Sequence, residues 1–301
     1  METMTTRKAP PSIYNFYDLV RSDPQRNRQL ACDALLLTEF TCPLETRKQA
    51  LWSHHNYFVY VLEGKKIWHT PAGSHELIKD TCFFVRKGAS IVEQFFDAEF
   101  CVLIFFISDE FICETLRNQD LNKTGPEEKY PPVMPIQTDA TLAGFMQSML
   151  PYFSKNPLPD KSLLELKFRE LLLNVVANRE NRQTLSYFCS LLNEPASVSL
   201  QKIMEDNYSY NLKLEAFAQL CNRSLSAFKR DFQKIYGTPP GKWLLERRLA
   251  QARLLLQNSD LQVGDVVFEC GFENLSHFSR AFRTHFGTTP LAYRRQRQQA
   301  A

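Results

Sequence analysis

Aromatic side chains return every fourth position in two stretches near the end of the chain, Phe228, Phe232 and Tyr236, then Phe278, Phe282 and Phe286. That spacing puts each trio on one side of a helix. A shorter apolar-periodic segment precedes each trio, Leu214, Phe217, Ala218 and Cys221 in one case and Val263, Val266, Val267 and Cys270 in the other. The two stretches are copies: Leu225-Ser226-Ala227-Phe228-Lys229-Arg230-Asp231-Phe232 through Gly237-Thr238-Pro239-Pro240 matches Leu275-Ser276-His277-Phe278-Ser279-Arg280-Ala281-Phe282 through Gly287-Thr288-Thr289-Pro290 at an offset of 50, and the leading segments match at 49. One supersecondary unit is therefore used twice. Each copy reads as a short helix, a turn of three or four residues and a second helix, the second copy's turn being one residue longer. Between the copies, Trp243, Leu244, Leu249, Ala252, Leu255 and Leu256 form the apolar side of one connecting helix over 241–257, started after Pro239-Pro240 and stopped at Asn258-Ser259-Asp260.

The front half has a different pattern. Short apolar runs over 34–40, 57–62, 65–69, 81–85, 91–96 and 100–107, separated by Gly, Pro, Asp and Asn, predict the strands of a small barrel. Helices follow over 138–154 and 160–181; in the second, Leu163, Leu164, Leu166, Phe168, Leu171, Leu172, Val175 and Val176 make a stripe wide enough to cover the barrel and also a second copy of the chain. Pro195 and its small neighbours mark a linker. The expected class is α+β, with a β regulatory domain over 1–135, a helical segment over 136–192 available for dimerisation, a linker over 193–197 and an all-α domain of two helix-turn-helix units over 198–301.

Charge sharpens this division. From Val198 onward there are 15 Lys and Arg against 9 Asp and Glu, leaving 21 basic against 24 acidic residues in front, so a basic module follows a mildly acidic one. A polyanion partner suits the second module only. The faces opposite the aromatic trios carry Ser226, Ala227, Lys229, Arg230 and Gln233 in the first copy and Ser276, His277, Ser279, Arg280 and Arg283 in the second. A major groove about 12 Å wide admits one helix, whose Arg, Lys and Ser side chains and small apolar groups reach base edges. Arg230 and Arg280, at equivalent positions, lead the candidates for base or adjacent phosphate contacts.

Other features bound the reading. Residues 1–11 have no apolar run behind them, so no signal peptide or anchor is expected, and the longest apolar stretch, 100–107, is far short of the roughly 20 residues that span a bilayer. The eight cysteines are scattered without a CxxC pair, as reduced core thiols of a cytoplasmic protein would be.

The run Arg247-Arg248-Leu249-Ala250-Gln251-Ala252-Arg253-Leu254-Leu255-Leu256, then Gly271-Phe272, Phe278-Ser279-Arg280-Ala281-Phe282, Gly287-Thr288-Thr289-Pro290 and Tyr293-Arg294, closely resembles the signature of AraC/XylS-type bacterial transcription regulators over 198–295. Val267 departs from the alanine usual there. The resemblance implies two adjacent major grooves of double-stranded DNA as the target, with Ser226, Lys229, Arg230, Ser276, His277 and Arg280 at motif positions, RNA polymerase as a partner and activation as the common outcome. Tyr57-Phe58-Val59-Tyr60-Val61-Leu62-Glu63-Gly64-Lys65-Lys66 and Phe84-Val85-Arg86-Lys87-Gly88-Ala89 look like the cupin-type sensor half of such regulators, nearest the type III secretion activator subgroup, whose front domain answers to a partner protein.

Three functions stay open on the sequence: a regulator bound by a small effector, a regulator gated by a protein, and a metal-dependent cupin enzyme with a DNA-binding tail. The last is disfavoured. On a strand, ligand pairs need spacing i, i+2 to share a face, whereas His54 and His55 are adjacent, and Lys87-Gly88 stands where a later ligand histidine would be sought. No cofactor or metal is expected. Trp52, His55, Tyr57 and Trp68 are the candidates to line an effector pocket, with His54 and His69 beside them.

Overall fold

The apolar runs of the front half become strands covered on both faces. The computed structural model describes residues 13–24, 26–41, 48–70, 73–95, 99–119, 130–193 and 196–298. These fall into two compact units, 14–193 and 196–298. In the front unit a two-residue strand, β1 (Tyr14–Asn15), and a short helix, α1 (Phe16–Arg21), lead into β2 (Arg28–Cys32), β3 (Leu35–Thr41), β4 (Lys48–Ser53), β5 (Asn56–Glu63), β6 (Lys65–Thr70), β7 (Gly73–Ile78), β8 (Cys82–Val85), β9 (Gly88–Gln94) and β10 (Cys101–Ile107). Helix α2 (Asp109–Leu116), strand β11 (Val133–Ile136) and helices α3 (Ala140–Met149), α4 (Lys161–Ala177) and α5 (Arg182–Asn193) complete it.

The strands form two sheets, ordered β1-β4-β9-β6-β7 and β11-β8-β5-β10-β3-β2. Successive side chains on a strand point to opposite faces. From β5 and β10, Tyr57, Val59, Val61, Val102, Ile104 and Phe106 meet Leu51, Trp68, Leu77 and Val92 of the other sheet. Their alternates Phe58, Tyr60, Leu103 and Phe105 meet Phe145 and Met146 of α3, Phe168 and Leu172 of α4, and Phe188 of α5. Two covered faces demand apolar residues at every position, so these strands read as unbroken runs. The outer face of the five-stranded sheet is wet, so β6 and β7 keep a mixed pattern of buried and exposed positions.

The structure differs from the sequence expectation in several places. Strands β1, β2, β4, β7 and β11 join the six that the sequence predicts; the last pairs with β8 and takes in Ile136, assigned from the sequence to the helical segment. Phe96 and Pro195 lie outside the described residues. The helix expected over 138–154 is α3 followed by a 3-10 turn, Leu150–Ser154, because Pro151 cannot continue the α-helical hydrogen bonding. The helix expected over 160–181 ends at Ala177: Asn178 is extended, and buried Asn181 donates from Nδ2 to the Val175 carbonyl (2.9 Å) while its Oδ1 accepts from the Gln137 amide (2.8 Å). The seven described cysteines are free; Cys42 lies outside the described residues.

The C-terminal unit is all helical: α6 (Ala196–Asn207), α7 (Leu214–Leu220), α8 (Leu225–Tyr236), α9 (Pro240–Asn258), α10 (Val263–Glu269), α11 (Leu275–Phe286) and α12 (Pro290–Gln298). Phe228, Phe232, Phe278 and Phe282 are fully buried, and Tyr236 and Phe286 half-buried. Each leading helix stops one residue sooner than its periodicity suggests, with Cys221 and Cys270 at the C-cap, so four residues separate α7 from α8 and five separate α10 from α11. Helices α6 and α12 are additions to the expected set.

Candidate nucleic-acid interface

Helices α8 and α11 are built alike. Ser224 caps α8 by accepting a hydrogen bond from the Ala227 amide (3.3 Å), and Asn274 caps α11 by accepting from the His277 amide (2.8 Å). Both end on a left-handed glycine, Gly237 and Gly287. With the phenylalanines facing inward, the opposite faces are open to solvent. Ser226, Lys229, Arg230 and Gln233 are exposed on α8, as are Ser276, His277, Arg280 and Arg283 on α11; Ala227 and Ser279, slightly off each face, are half-buried.

The two helices differ in charge at several pairs of positions, among them Lys229 against Ser279, Asp231 against Ala281 and Gln233 against Arg283, and the second of these bears on Arg230 and Arg280. Asp231 of α8 lies 3.3 Å from Arg230 Nε and also pairs with Arg223, whereas Ala281 occupies the matching position of α11. Arg280 accordingly has no ion pair among the described residues. His277 packs its ring edge-on against Phe272, with centroids 5.8 Å apart.

In the front unit the ligand candidates join one row of rings. Trp52 reaches His54 (6.1 Å between centroids), His54 reaches His55 (4.4 Å), His55 reaches Tyr17 (4.7 Å), and the row continues through Phe106 and Tyr57 to Trp68. This corrects one sequence argument. His54 and His55 sit in the β4–β5 turn, not on a strand, so strand alternation does not send them apart, and both pack on Tyr17. Among the described residues, no group of three or more His, Cys, Asp and Glu has metal-holding geometry. Lys87, at the position where a ligand histidine was sought, pairs with Asp109 (2.5 Å), and its amide donates to Asn56 Oδ1 (2.9 Å), which also accepts from the Tyr187 hydroxyl (3.2 Å). This polar network went unread in the sequence because its members come from four separate elements.

Of the four ligand candidates only Trp68 borders a small interior cavity of about 20 Å³, also lined by Phe16, Phe40, Lys66 and Phe100. That is room for about one water. A surface groove of about 530 Å³, lined by Arg28, Glu39, Leu62, Lys79, Gln147 and Leu150, includes none of the four.

Burial holds His55 neutral, with its pKa pulled down to about 4; His54, Lys87 and Arg21 push the same way and Asp109 opposes them. An unfolded histidine titrates near about 6.5. Between those values the unfolded chain binds the proton and the folded chain does not, so the contribution of His55 to stability is complete above about pH 6.5 and is lost as pH falls toward 4. Replacing His55 with glutamine is expected to flatten the fall of the front unit's unfolding midpoint across that window. An unchanged slope would assign the acid sensitivity to other groups.

Comparison with known proteins bears on both units. The ExsA N-terminal regulatory domain family matches residues 56–187, and a helix-turn-helix domain family matches 217–296. The thermoregulatory protein LcrF of Yersinia pestis is 29% identical over 234 residues, covering 76% of this chain and 85% of that protein. The HTH-type transcriptional regulator ExsA of Pseudomonas aeruginosa is 30% identical over 250 residues, covering 74% of this chain and 89% of that protein. Among solved structures, the DNA-binding domain of AdpA in complex with a target DNA is 27% identical and covers 36% of this chain and 96% of that one, with a TM-score of 0.34. Capped helices with exposed basic faces, both family matches and relatives aligned over most of their length agree: the chain belongs to the AraC-type helix-turn-helix transcriptional regulators that carry an ExsA-type N-terminal regulatory domain.

Proposed function

We propose that this regulator is a sequence-specific activator that reads two adjacent major grooves of double-stranded DNA with α8 and α11, under the control of a cupin-like front domain. The observation that carries the reading is the pair of matching helices, each with a buried aromatic face, one exposing Ser226, Lys229, Arg230 and Gln233 and the other Ser276, His277, Arg280 and Arg283, linked through the 19-residue helix α9. At 1.5 Å per residue α9 spans about 28 Å, of the order of the 34 Å helical repeat of DNA. In this reading Arg230 and Arg280 contact bases, while Lys229, Arg283, Ser226, Ser276 and His277 contact bases or phosphates beside them. Against the expected division into 1–135, 136–192, 193–197 and 198–301, we take the effector domain to run through β11 to Ile136, its helical extension to end with α5 at Asn193, and the reader to open with α6 at Ala196.

The test is selection of bound duplexes from a random pool by the whole chain at near-physiological salt, where purely phosphate-directed binding is weakened. Two enriched blocks about one helical turn apart are expected. Binding without an enriched motif would reduce the C-terminal unit to a non-specific anchor.

RNA polymerase is the partner proposed for activation, and the internal repeat offers a surface for it. Ala216 and Leu220 of α7, which packs with α6, are buried, whereas the matching Asp265 and Glu269 of α10 are exposed, with Phe268 42% exposed between them. We expect Phe268→Ala combined with Glu269→Lys to leave DNA affinity unchanged and to reduce transcription in a purified system by about tenfold, as truncating a contact hot spot would. Full transcription from the variant would move the polymerase contact elsewhere.

The cavity beside Trp68 supports a protein over a small molecule as effector, because a ligand larger than water would have to open the sandwich to enter it. Leu166 and Leu173 stand exposed on α4 and supply a face for a homodimer, which sedimentation of Leu166→Glu against the unaltered chain would test. No described helix is long and apolar enough to cross a membrane. We place the protein in the cytoplasm with its DNA, a location that cell fractionation would check.

A further inference from the structure

The short loop that leaves α6 is gripped from the middle of α9. Arg248 donates from Nε to the Tyr208 carbonyl and from Nη2 to the Tyr210 carbonyl, both at 2.7 Å. Burial lowers its pKa to about 10, so the guanidinium stays charged at neutral pH and both bonds are charge-assisted. Arg247 adds an ion pair to Glu205 (2.8 Å) and lies over the Tyr208 ring, and Gln251 accepts from the Tyr208 hydroxyl (3.4 Å).

The far side of the same loop rests on the turn between α10 and α11. A side-chain carbon placed on Gly271 would stand 2.7 Å from the Ser209 carbonyl oxygen and 3.1 Å from the Tyr210 carbonyl carbon, so the backbone of this turn and that of the loop are in direct contact. Residues 208–210 run on into α7 and α8, and Gly271 opens onto α11. The loop is thus wedged between the connecting helix and the entry to the second reader. Each reader also packs on α9, the first through Phe232 and Tyr236 against Trp243 and the second through Val266, Phe278 and Phe282 around Leu249 and Ala252. The loop adds a contact that ties the first helix-turn-helix unit to the turn of the second and so restrains their relative rotation.

We propose that the 208–210 loop, held by Arg248 and seated on Gly271, sets the spacing at which the two readers engage DNA, with Arg248 as the positioning residue. The inference rests on the two-block reading proposed above. A Lys at 248 keeps the charge but, as a single ammonium point, cannot reproduce the forked pair of bonds.

The experiment is selection by the whole chain from a pool in which the two enriched blocks are fixed and the spacer between them varies. The unaltered chain should prefer one spacer length over its neighbours by about tenfold, the scale of a charged hydrogen bond. Arg248→Lys, confirmed folded by circular dichroism, should retain the sequence of each block while its spacer preference drops to about twofold. A single sharp spacing in folded Arg248→Lys would overturn the proposal, as would loss of the block sequences themselves. Should Arg248→Lys fail to fold, Arg247→Ala, which loosens the same grip from an exposed site, decides: a broadened spacer preference supports the proposal and an unchanged one overturns it. Absence of any two-block motif with the unaltered chain would be a failure of the DNA-reading assignment and is distinguishable from both.

Discussion

Replacing Gly271 with alanine is expected to destabilise the C-terminal unit by about 3 kcal/mol, while the same change at Gly237 or Gly287 costs about 1 kcal/mol. All three glycines have positive φ, at 73°, 68° and 75°, so the backbone penalty for a side chain is shared. What separates them is space. The added carbon meets nothing within 4 Å at Gly237 and Gly287, but at Gly271 it overlaps the carbonyl of Ser209 and approaches Tyr210. Ser209 lies between Tyr208 and Tyr210, whose carbonyls Arg248 holds, so the loop cannot move aside without straining those hydrogen bonds. Asn222, at the matching place in the first copy, has φ of 54° and shows that the turn itself tolerates a side chain. Hydrogen exchange of α10 and α11 amides reads the effect without requiring the two units to unfold together. If Gly271→Ala proves no more costly than Gly287→Ala, the loop does not sit where we place it.

Much of the C-terminal unit was legible because it is repetitive and amphipathic. Phe228, Phe232, Phe278 and Phe282 announced two helices, and those helices carry them fully buried. What periodicity missed is the polar residue that works as core. Arg248 reads as one more surface cation of a basic helix, since nothing local distinguishes it from Arg247 or Arg253; its partners are carbonyls some forty residues away, beyond any helical period. The front unit shows the complementary limit. Its doubly covered strands β5 and β10 stood out as apolar runs, while β4 and β7 carry Lys, Gln, Ser, His and Glu and take their place through pairing with β9 and β6. Alternation sends His54 and His55 apart only if both lie on a strand, and the nearest predicted strand begins at Tyr57. Their place in a turn, rings side by side on Tyr17, depends on how β4 enters β5, which alternation alone cannot say.

Arg280→Ala is expected to weaken binding to the selected DNA site by about 1 to 3 kcal/mol, roughly fivefold to 150-fold, and to relax the preference for one base. Arg230→Ala should cost less, although the two residues occupy equivalent places. The cause is Asp231, which in the free protein lies 3.3 Å from Arg230 Nε. Arg230 must share or surrender that carboxylate on reaching a base, and its side chain is 75% exposed, so the pair is worth no more than about 1 kcal/mol. The repeat supplies its own control, because Asp231→Ala makes the first copy resemble the second, which has Ala281 at that place. Arg230→Ala measured in the Asp231→Ala background should then approach the cost of Arg280→Ala. Salt distinguishes base contact from phosphate contact. Loss of a base contact leaves the slope of log affinity against log salt unchanged, whereas loss of a phosphate contact lowers it by about 1 and falls evenly on all sequences. An even loss with a shallower slope would move Arg280 from the bases to the backbone, and the specificity of α11 would then have to come from Ser276, His277 and Ser279.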